Sequence, residues 1–502
     1  MNRGLWLGAV ACVSAAYGLY TSAYFTQGEL ILDEAATFFV AVRSLRDVLT
    51  LPVSFQAQPP LFYLVLHEWL RFGDAEPWLR VLPLVFMVLA GVTLLLTSWL
   101  TRLTRVVSLA LLLLTSYGGY LTSFLRPYSL AVWLSLWSCL LFFSLLVRPG
   151  RRVASYVWFV VVSALMAYSV AMTSWILVAE GLCAVAAVGL ASAENGVRRS
   201  LEQYRGLLLS LAALALIYLP YVVSVWFLQR QIGAASFRAT LAAATNVRYY
   251  VSGPVFLLAM PAGLGYVALA AVGYAAWIGA RRRDPLIGVL MTVVVVQIGL
   301  THGILAGRSD FAFRYLAPAY PALCLLVGLG ADRLFSRFRG TSLVVAACAA
   351  CVLAAAAVAF ARAPHQPPVG PWRQVGADLV RLPGSKVVFF DIGWDAQRLQ
   401  YEVRHDPDVR VMSNPGTGWG TGGREMTNEY VTRLIHEEAG PTTMFFYEFD
   451  PVWRSAVFDE AFAPAMSRQG CARVYQRDVP TYTRSVPGDA GAVLYGYVCH
   501  AS

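Results

Sequence analysis

The chain has 502 residues, of which 58% are hydrophobic and only 14% charged. Soluble domains carry about 25% charged residues, so an ordinary water-soluble protein is excluded over most of the length. A net charge of +10 would suggest nucleic acid in a soluble chain, but here the basic residues stand mostly in short loops between apolar runs, which makes the lipid bilayer the partner and excludes nucleic acid.

Apolar runs long enough to cross a bilayer predict eleven spans, at about 4–25, 78–100, 106–124, 128–147, 154–172, 174–193, 206–228, 251–279, 286–302, 315–332 and 341–361. The first follows Met1-Asn2-Arg3 as a signal peptide would, but it is long and lacks a small-x-small cleavage site, so it reads as a retained helix. Basic clusters alternate along the chain. Arg3, Arg102 and Arg105, Arg148 to Arg152, Arg198 to Arg205, Arg281 to Arg283, and Arg333 to Arg339 all fall on one side. The positive-inside rule places that side, and the N-terminus, in the cytoplasm. An odd number of spans leaves the C-terminus outside. The expected location is the cell inner membrane, multi-pass, with a periplasmic or extracellular tail.

The external segment 26–77 contains partly apolar stretches at 35–42 and 61–70, too short or too charged to span, which read as interfacial helices. After about Arg362 the composition becomes that of a soluble protein, opening with a Pro-rich linker at 364–368. Strands are predicted at 386–391, 442–447 and 493–498, and helices at 372–382 and 427–438. The expected fold is therefore a membrane all-α bundle over residues 1–362 and a small α/β domain over 363–502.

Six of the eight cysteines lie in or beside apolar spans and read as small core residues. Cys471 and Cys499 stand apart in the polar tail, where an oxidising compartment would permit a disulfide.

Several residues run against their surroundings. Asp33 and Glu34 are adjacent acids directly after the first span, where they favour either chemistry or a helix N-terminus. Gln58-Pro59-Pro60 precedes an apolar stretch and suits a helix start, with proline at the first position. Arg126, before Pro127 and Tyr128, lies on the side that the positive-inside bias depletes of arginine. Its fork suits a lipid phosphate, with snorkelling to headgroups as the plainer alternative. Arg314-Tyr315 occupies a matching position. Glu180 falls inside an apolar run, where a carboxylate costs about 2–3 kcal/mol or more, suggesting a cavity-facing group. His302 ends the ninth span on the outer side. The glycine-rich stretch 418–423 does not open a helix after a strand and carries no nucleotide-binding reading.

Taken together, the acidic pair, Gln58-Pro59-Pro60-Leu61-Phe62-Tyr63 running to Gly73, Glu76-Pro77-Trp78-Leu79-Arg80 with Pro83, Arg126-x-Tyr128 and Arg314-Tyr315 resemble the bacterial polytopic GT-C glycosyltransferases. The nearest branch is that of the protein-O-mannosyltransferases and aminoarabinose transferases (glycosyltransferase family 39-like). The likeness covers about residues 1–360, and more loosely the tail from Trp372-Arg373 to Trp394. It implies transfer of a sugar, with inversion, from a polyprenyl-phosphate donor to an envelope glycan, lipid or protein acceptor at the outer membrane face. On this resemblance Asp33 is the general base and Glu34 its helper, Arg126 and Arg314 hold the donor phosphate, and Tyr128 and Tyr315 line its groove. Gln58, Glu180 and His302 are assigned to substrate positioning.

Where the family usually has His or Lys before the proline pair, this chain has the neutral Gln58; where the family has Glu-Ala before the arginine, it has Phe124-Leu125. Both departures weaken the case for a bound divalent metal; no cofactor is assigned, and a divalent metal stays open. The alternative reading is a polytopic lipid or glycan transporter or flippase, which should show inverted repeats and charges at mid-membrane. No repeat is found.

Overall fold

The computed structural model describes residues 3–25, 30, 32–56, 58–232, 264–305, 313–335, 371–390, 393–413, 428–438, 443–449, 462–479 and 492–499. The predicted span 341–361, the start of the span 251–279, the linker 364–368 and the stretch 418–423 lie outside the described residues. The chain divides into two compact units, one of residues 1–26 and 40–364, the other of residues 27–39 and 365–502.

The helices of the N-terminal part are α1 (Arg3–Phe25), α2 (Leu32–Ala41), α3 (Leu45–Gln56), α4 (Leu61–Trp69), α5 (Glu76–Leu96), α6 (Arg102–Leu114), α7 (Ser116–Ser123), α8 (Tyr128–Val147), α9 (Val153–Ala167), α10 (Ser174–Asn195), α11 (Val197–Ile232), α12 (Leu264–Arg282), α13 (Pro285–Leu305) and α14 (Tyr320–Phe335). Residues Phe313–Ala319 form a 3-10 segment ahead of α14. Among the described residues five helices are long and apolar enough to cross a membrane, or six if α6 and α7 count as one bent span. Three shorter apolar helices, Trp6–Leu19, Val153–Ala167 and Pro285–Thr301, fall on further predicted spans. The chain is a multi-pass membrane protein.

The outward faces of α9, α10 and α11 carry large apolar side chains, such as Trp158, Val185, Leu190 and Leu216. Such a belt would be a liability in water and is the ordinary face of a helix in lipid. Inside, small polar groups tie helices together. Ser108 Oγ donates to the Cys324 carbonyl at 3.1 Å, and Tyr17 Oη and Thr122 Oγ1 are 2.7 Å apart. The span predicted as continuous over 106–124 is instead broken between α6 and α7 by a 62° bend. Thr115 causes it: its backbone is extended, its hydroxyl accepts from Gly118 N, and it also bonds Tyr320 Oη, so the threonine caps a new helix.

Three contacts gather the basic loops at one end of the bundle. The Arg105 guanidinium lies 5.3 Å from the Trp6 ring centroid, Trp99 packs on Phe143 near the end of α8, and Arg333 pairs with Asp284. The start of α8 is at the opposite end.

In the second unit, α15 (Pro371–Arg381), β1 (Ser385–Phe390), α16 (Gly393–Glu402), β2 (Val409–Ser413), α17 (Asn428–Glu438), β3 (Thr443–Phe449), α18 (Ala463–Arg468), β4 (Cys471–Val479) and β5 (Ala492–Cys499) follow in order. The sheet runs β2-β1-β3-β5-β4, parallel among the first three and antiparallel where β5 joins. Alternation along β1 explains its two layers of cover. Val388 and Phe390 face Trp372, Val375 and Leu399 from α15 and α16, whereas Val387 and Phe389 face Val431 and Ile435 from α17 and Met466 from α18. Two strands, β2 and β4, and the helices α16 and α18 are additional to those predicted. Cys471 and Cys499 stand opposite each other in the β4–β5 register and are joined by a disulfide.

Helix α14 lies so close to α12 that a side chain at Gly330 would overlap the Ala271 carbonyl oxygen, the small-residue packing that membrane helices favour. Gly330→Val should therefore destabilise the bundle by about 1–3 kcal/mol, read as a lower thermal midpoint in detergent. An unchanged midpoint would show that the two helices do not approach this closely.

Candidate active site

The site is built from three elements at the end of the bundle remote from the basic loops. The first is the α7–α8 corner. Pro127 caps α8, which forces the preceding residue out of the helical region and leaves Arg126 in a tight turn, its N–H donating to the Phe124 carbonyl at 2.7 Å. Arg126 is 7% exposed, an enclosed guanidinium beside apolar helices. Behind it runs an aromatic stripe. Tyr117 packs on Tyr120, Tyr120 on Phe124 at 4.6 Å, and Phe124 on Tyr128 nearly parallel at 6.1 Å. The stripe crosses the turn between α7 and α8, so helical spacing alone does not predict it.

The second element is the 3-10 segment that carries Arg314 and Tyr315. Its position is set by Gln297 of α13, fully buried, whose Nε2 donates to Thr301 Oγ1 and to the Tyr315 carbonyl, each at 3.3 Å. The Tyr315 ring meets Tyr128 edge-on at 6.4 Å, and the Arg314 guanidinium lies 5.5 Å from the Tyr315 ring centroid. Arg126-Pro127-Tyr128 and Arg314-Tyr315 are thus brought together, although 188 positions separate the two arginines (314 minus 126). Nothing in the local sequence singles out Gln297.

The third element is the turn after α9. Gln58 is buried, its Oε1 accepting from Ala171 N at 3.4 Å, while Leu61 N, at the start of α4, donates to the Tyr168 carbonyl at 3.1 Å. Pro60 is the N-cap of α4, one position before the first helical residue where the proline was expected; it offers no side-chain cap, and the Tyr168 carbonyl takes the Leu61 N–H that has no partner within the helix. The 3-10 turn Ala171–Thr173 also packs against Phe313–Ala319.

Asp33 and Glu34 lie in the first turn of α2, in the part of that helix belonging to the second unit. Negative charge there complements the helix dipole. Glu34 is 2% exposed, whereas Asp33 is half-buried, and Thr37 Oγ1 donates to the Asp33 carbonyl at 2.7 Å.

Glu180 sits deep among α8, α9 and α10, fully buried. Ser138 Oγ donates to its Oε1 at 2.9 Å and bonds Ser163 Oγ at 2.7 Å. Ser138 is ten residues along α8 from Tyr128, or about 15 Å, which separates Glu180 from the arginine cluster. His302 lies in the last turn of α13.

Among the described residues no three His, Cys, Asp or Glu side chains converge, and Gln58 is neutral and engaged with the backbone. These donors do not fit a divalent-metal site, and no step below passes through one.

No protein-family model matches this chain, and no curated protein matches it. Solved structures do. ArnT from Cupriavidus metallidurans in the apo state aligns with TM-score 0.60 at 12% identity over 97% of both chains. The same protein bound to undecaprenyl phosphate aligns with TM-score 0.61 at 14% identity, over 99% of this chain and 98% of that one. The archaeal oligosaccharyltransferase AglB from Archaeoglobus fulgidus, in complex with an inhibitory peptide and a dolichol-phosphate, aligns with TM-score 0.54 at 10% identity over 98% of this chain and 74% of that one. The chain has the GT-C fold.

If Gln297 holds the Arg314 segment, Gln297→Leu should cost about 1 kcal/mol locally, speeding amide hydrogen exchange across residues 313–319 about five-fold. Exchange at the wild-type rate would show that those hydrogen bonds do not position the segment.

Proposed function

We propose that this chain is an inverting glycosyltransferase that moves a sugar from a polyprenyl-phosphate donor to a hydroxyl of an envelope glycan, lipid or protein on the non-cytoplasmic face of the inner membrane. One observation carries the reading: two arginines and a continuous aromatic stripe meet at one end of a bundle whose fold is shared with a protein solved with undecaprenyl phosphate.

Arg126 and Arg314 suit a phosphate, through the paired donors of a guanidinium, and the apolar faces of Tyr128 and Tyr315 suit the adjoining prenyl chain. In the reaction the acceptor oxygen bonds the anomeric carbon while the bond from that carbon to the phosphate oxygen breaks, its electron pair leaving with the phosphate. Negative charge grows on the phosphate as the bond breaks, so fixed guanidinium groups stabilise the transition state more than the bound donor. The acceptor proton goes to a carboxylate on the opposite face of the sugar, as inversion requires. Asp33 is assigned that role because it is the more exposed of the adjacent acids, with Glu34 as a buried neighbour.

A cytoplasmic N-terminus and an external arginine cluster are part of this reading, supported by the basic loops lying at the end away from Arg126. With an odd number of spans the C-terminus is outside, and the Cys471–Cys499 disulfide is compatible with an oxidising compartment there. Gln58, Glu180 and His302 are kept as substrate-positioning candidates.

The test uses undecaprenyl phosphate carrying mannose, glucose, galactose, arabinose or aminoarabinose, with envelope membranes as acceptor and released undecaprenyl phosphate as the readout. Asp33→Asn should lower turnover of the working donor by about 10²–10⁴-fold while the protein still binds undecaprenyl phosphate. Turnover within a few-fold of wild type in that variant would remove Asp33 from the chemistry, and no turnover of any donor by the wild type would favour the transporter reading.

A further inference from the structure

The second unit contains a contact that the transfer reaction leaves unexplained. Phe38, on α2, is 3% exposed and meets the ring of Tyr401, also 3% exposed, edge-on at 5.0 Å. Arg404 covers the pair: its guanidinium carbon is 3.9 Å from the Tyr401 ring centroid and 5.9 Å from that of Phe38, and its Nη1 donates to the Tyr401 carbonyl. Tyr401 is in turn fixed to the sheet domain. Its neighbours Leu399 and Val403 belong to the core with Trp372, Val375 and Phe390, and Glu402 pairs with Arg373 of α15 at 3.6 Å. An unbroken run of packed side chains leads from the sheet to α2.

The rotation of α2 is what this contact sets. At 100° per residue, Phe38 lies about 40° around the helix from Glu34 but about 140° from Asp33. Burying Phe38 therefore turns Glu34 inward and leaves Asp33 towards the more open side, as the burial of the two acids shows. A rotation of one residue position would exchange the two carboxylates.

We infer that Tyr401 and Arg404 are positioning residues of the transfer reaction, through which the C-terminal domain sets the rotation of α2 and so presents Asp33 rather than Glu34. The inference rests on the assignment of Asp33 as base. It gives the soluble domain a catalytic purpose even though it supplies no reacting group.

The experiment uses the full chain and whichever donor of the panel above the wild type turns over. Tyr401→Ala and Arg404→Ala should lower kcat about ten- to a hundred-fold with donor KM within two-fold, and hydrogen exchange of peptide 32–41 should accelerate. Tyr401→Phe, which keeps the ring, should restore both; a general folding defect would not separate kcat from KM or be rescued so selectively. Tyr401→Leu takes the place of Tyr401→Ala if the alanine variant does not fold, with the same expectation. Unchanged exchange over 32–41, or accelerated exchange with wild-type kcat, overturns the inference while leaving Asp33 as base. An active Asp33→Asn protein overturns both together.

Discussion

A guanidinium enclosed beside apolar helices is costly to place, and structures tolerate it where the charge meets polar groups or an anionic ligand. Arg126 is in that position, and the local structure follows from the need to hold it there. Pro127 stops the backbone from continuing the helix, Phe124 and Tyr128 pack on each other across the turn, and Tyr315 closes on Tyr128 to bring Arg314 alongside. Because guanidinium groups stack on aromatic faces as well as grip oxyanions, the same ring system can support the cations and offer a surface to a prenyl chain.

The rest of the bundle separates its tasks by depth. Apolar side chains face lipid, small hydroxyls tie helices inside, and basic loops collect at the end away from Arg126. Glu180 illustrates how much the interior can absorb. It takes a hydrogen bond from Ser138, which is itself bonded to Ser163, so a carboxyl at mid-bundle acts as a node between α8, α9 and α10.

What could be read from the sequence was what depends on local pattern. Hydropathy located the five or six membrane-crossing helices found among the described residues, alternation located β1, β3 and β5, and the position of Arg126 against the charge bias sets it apart. What could not be read depends on distant partners. The bend at Thr115 combines a local cap on Gly118 N with a bond to the Tyr320 hydroxyl, 205 residues away, which no local pattern announces. The placement of the Arg314 segment needs Gln297, whose role appears only once its amide is seen donating to the Tyr315 carbonyl. The edge strand β4 has charged residues at Arg473, Arg477 and Asp478, a pattern that does not announce a strand until β5 supplies its neighbour. The sequence gives the depth of Glu180 but not the hydrogen bond from Ser138 that meets it there. The rotation of α2, which distinguishes Asp33 from Glu34, is set by Tyr401, more than 350 residues further on (401 minus 38 is 363).

The central claim is that Arg126 and Arg314 together hold a polyprenyl phosphate. Native mass spectrometry of the purified chain tests it most directly, comparing wild type with the Arg126→Ala, Arg314→Ala double variant after incubation with undecaprenyl phosphate. The account predicts an adduct of that lipid on the wild type that is lost from the variant. Equal retention of undecaprenyl phosphate by both proteins would contradict it.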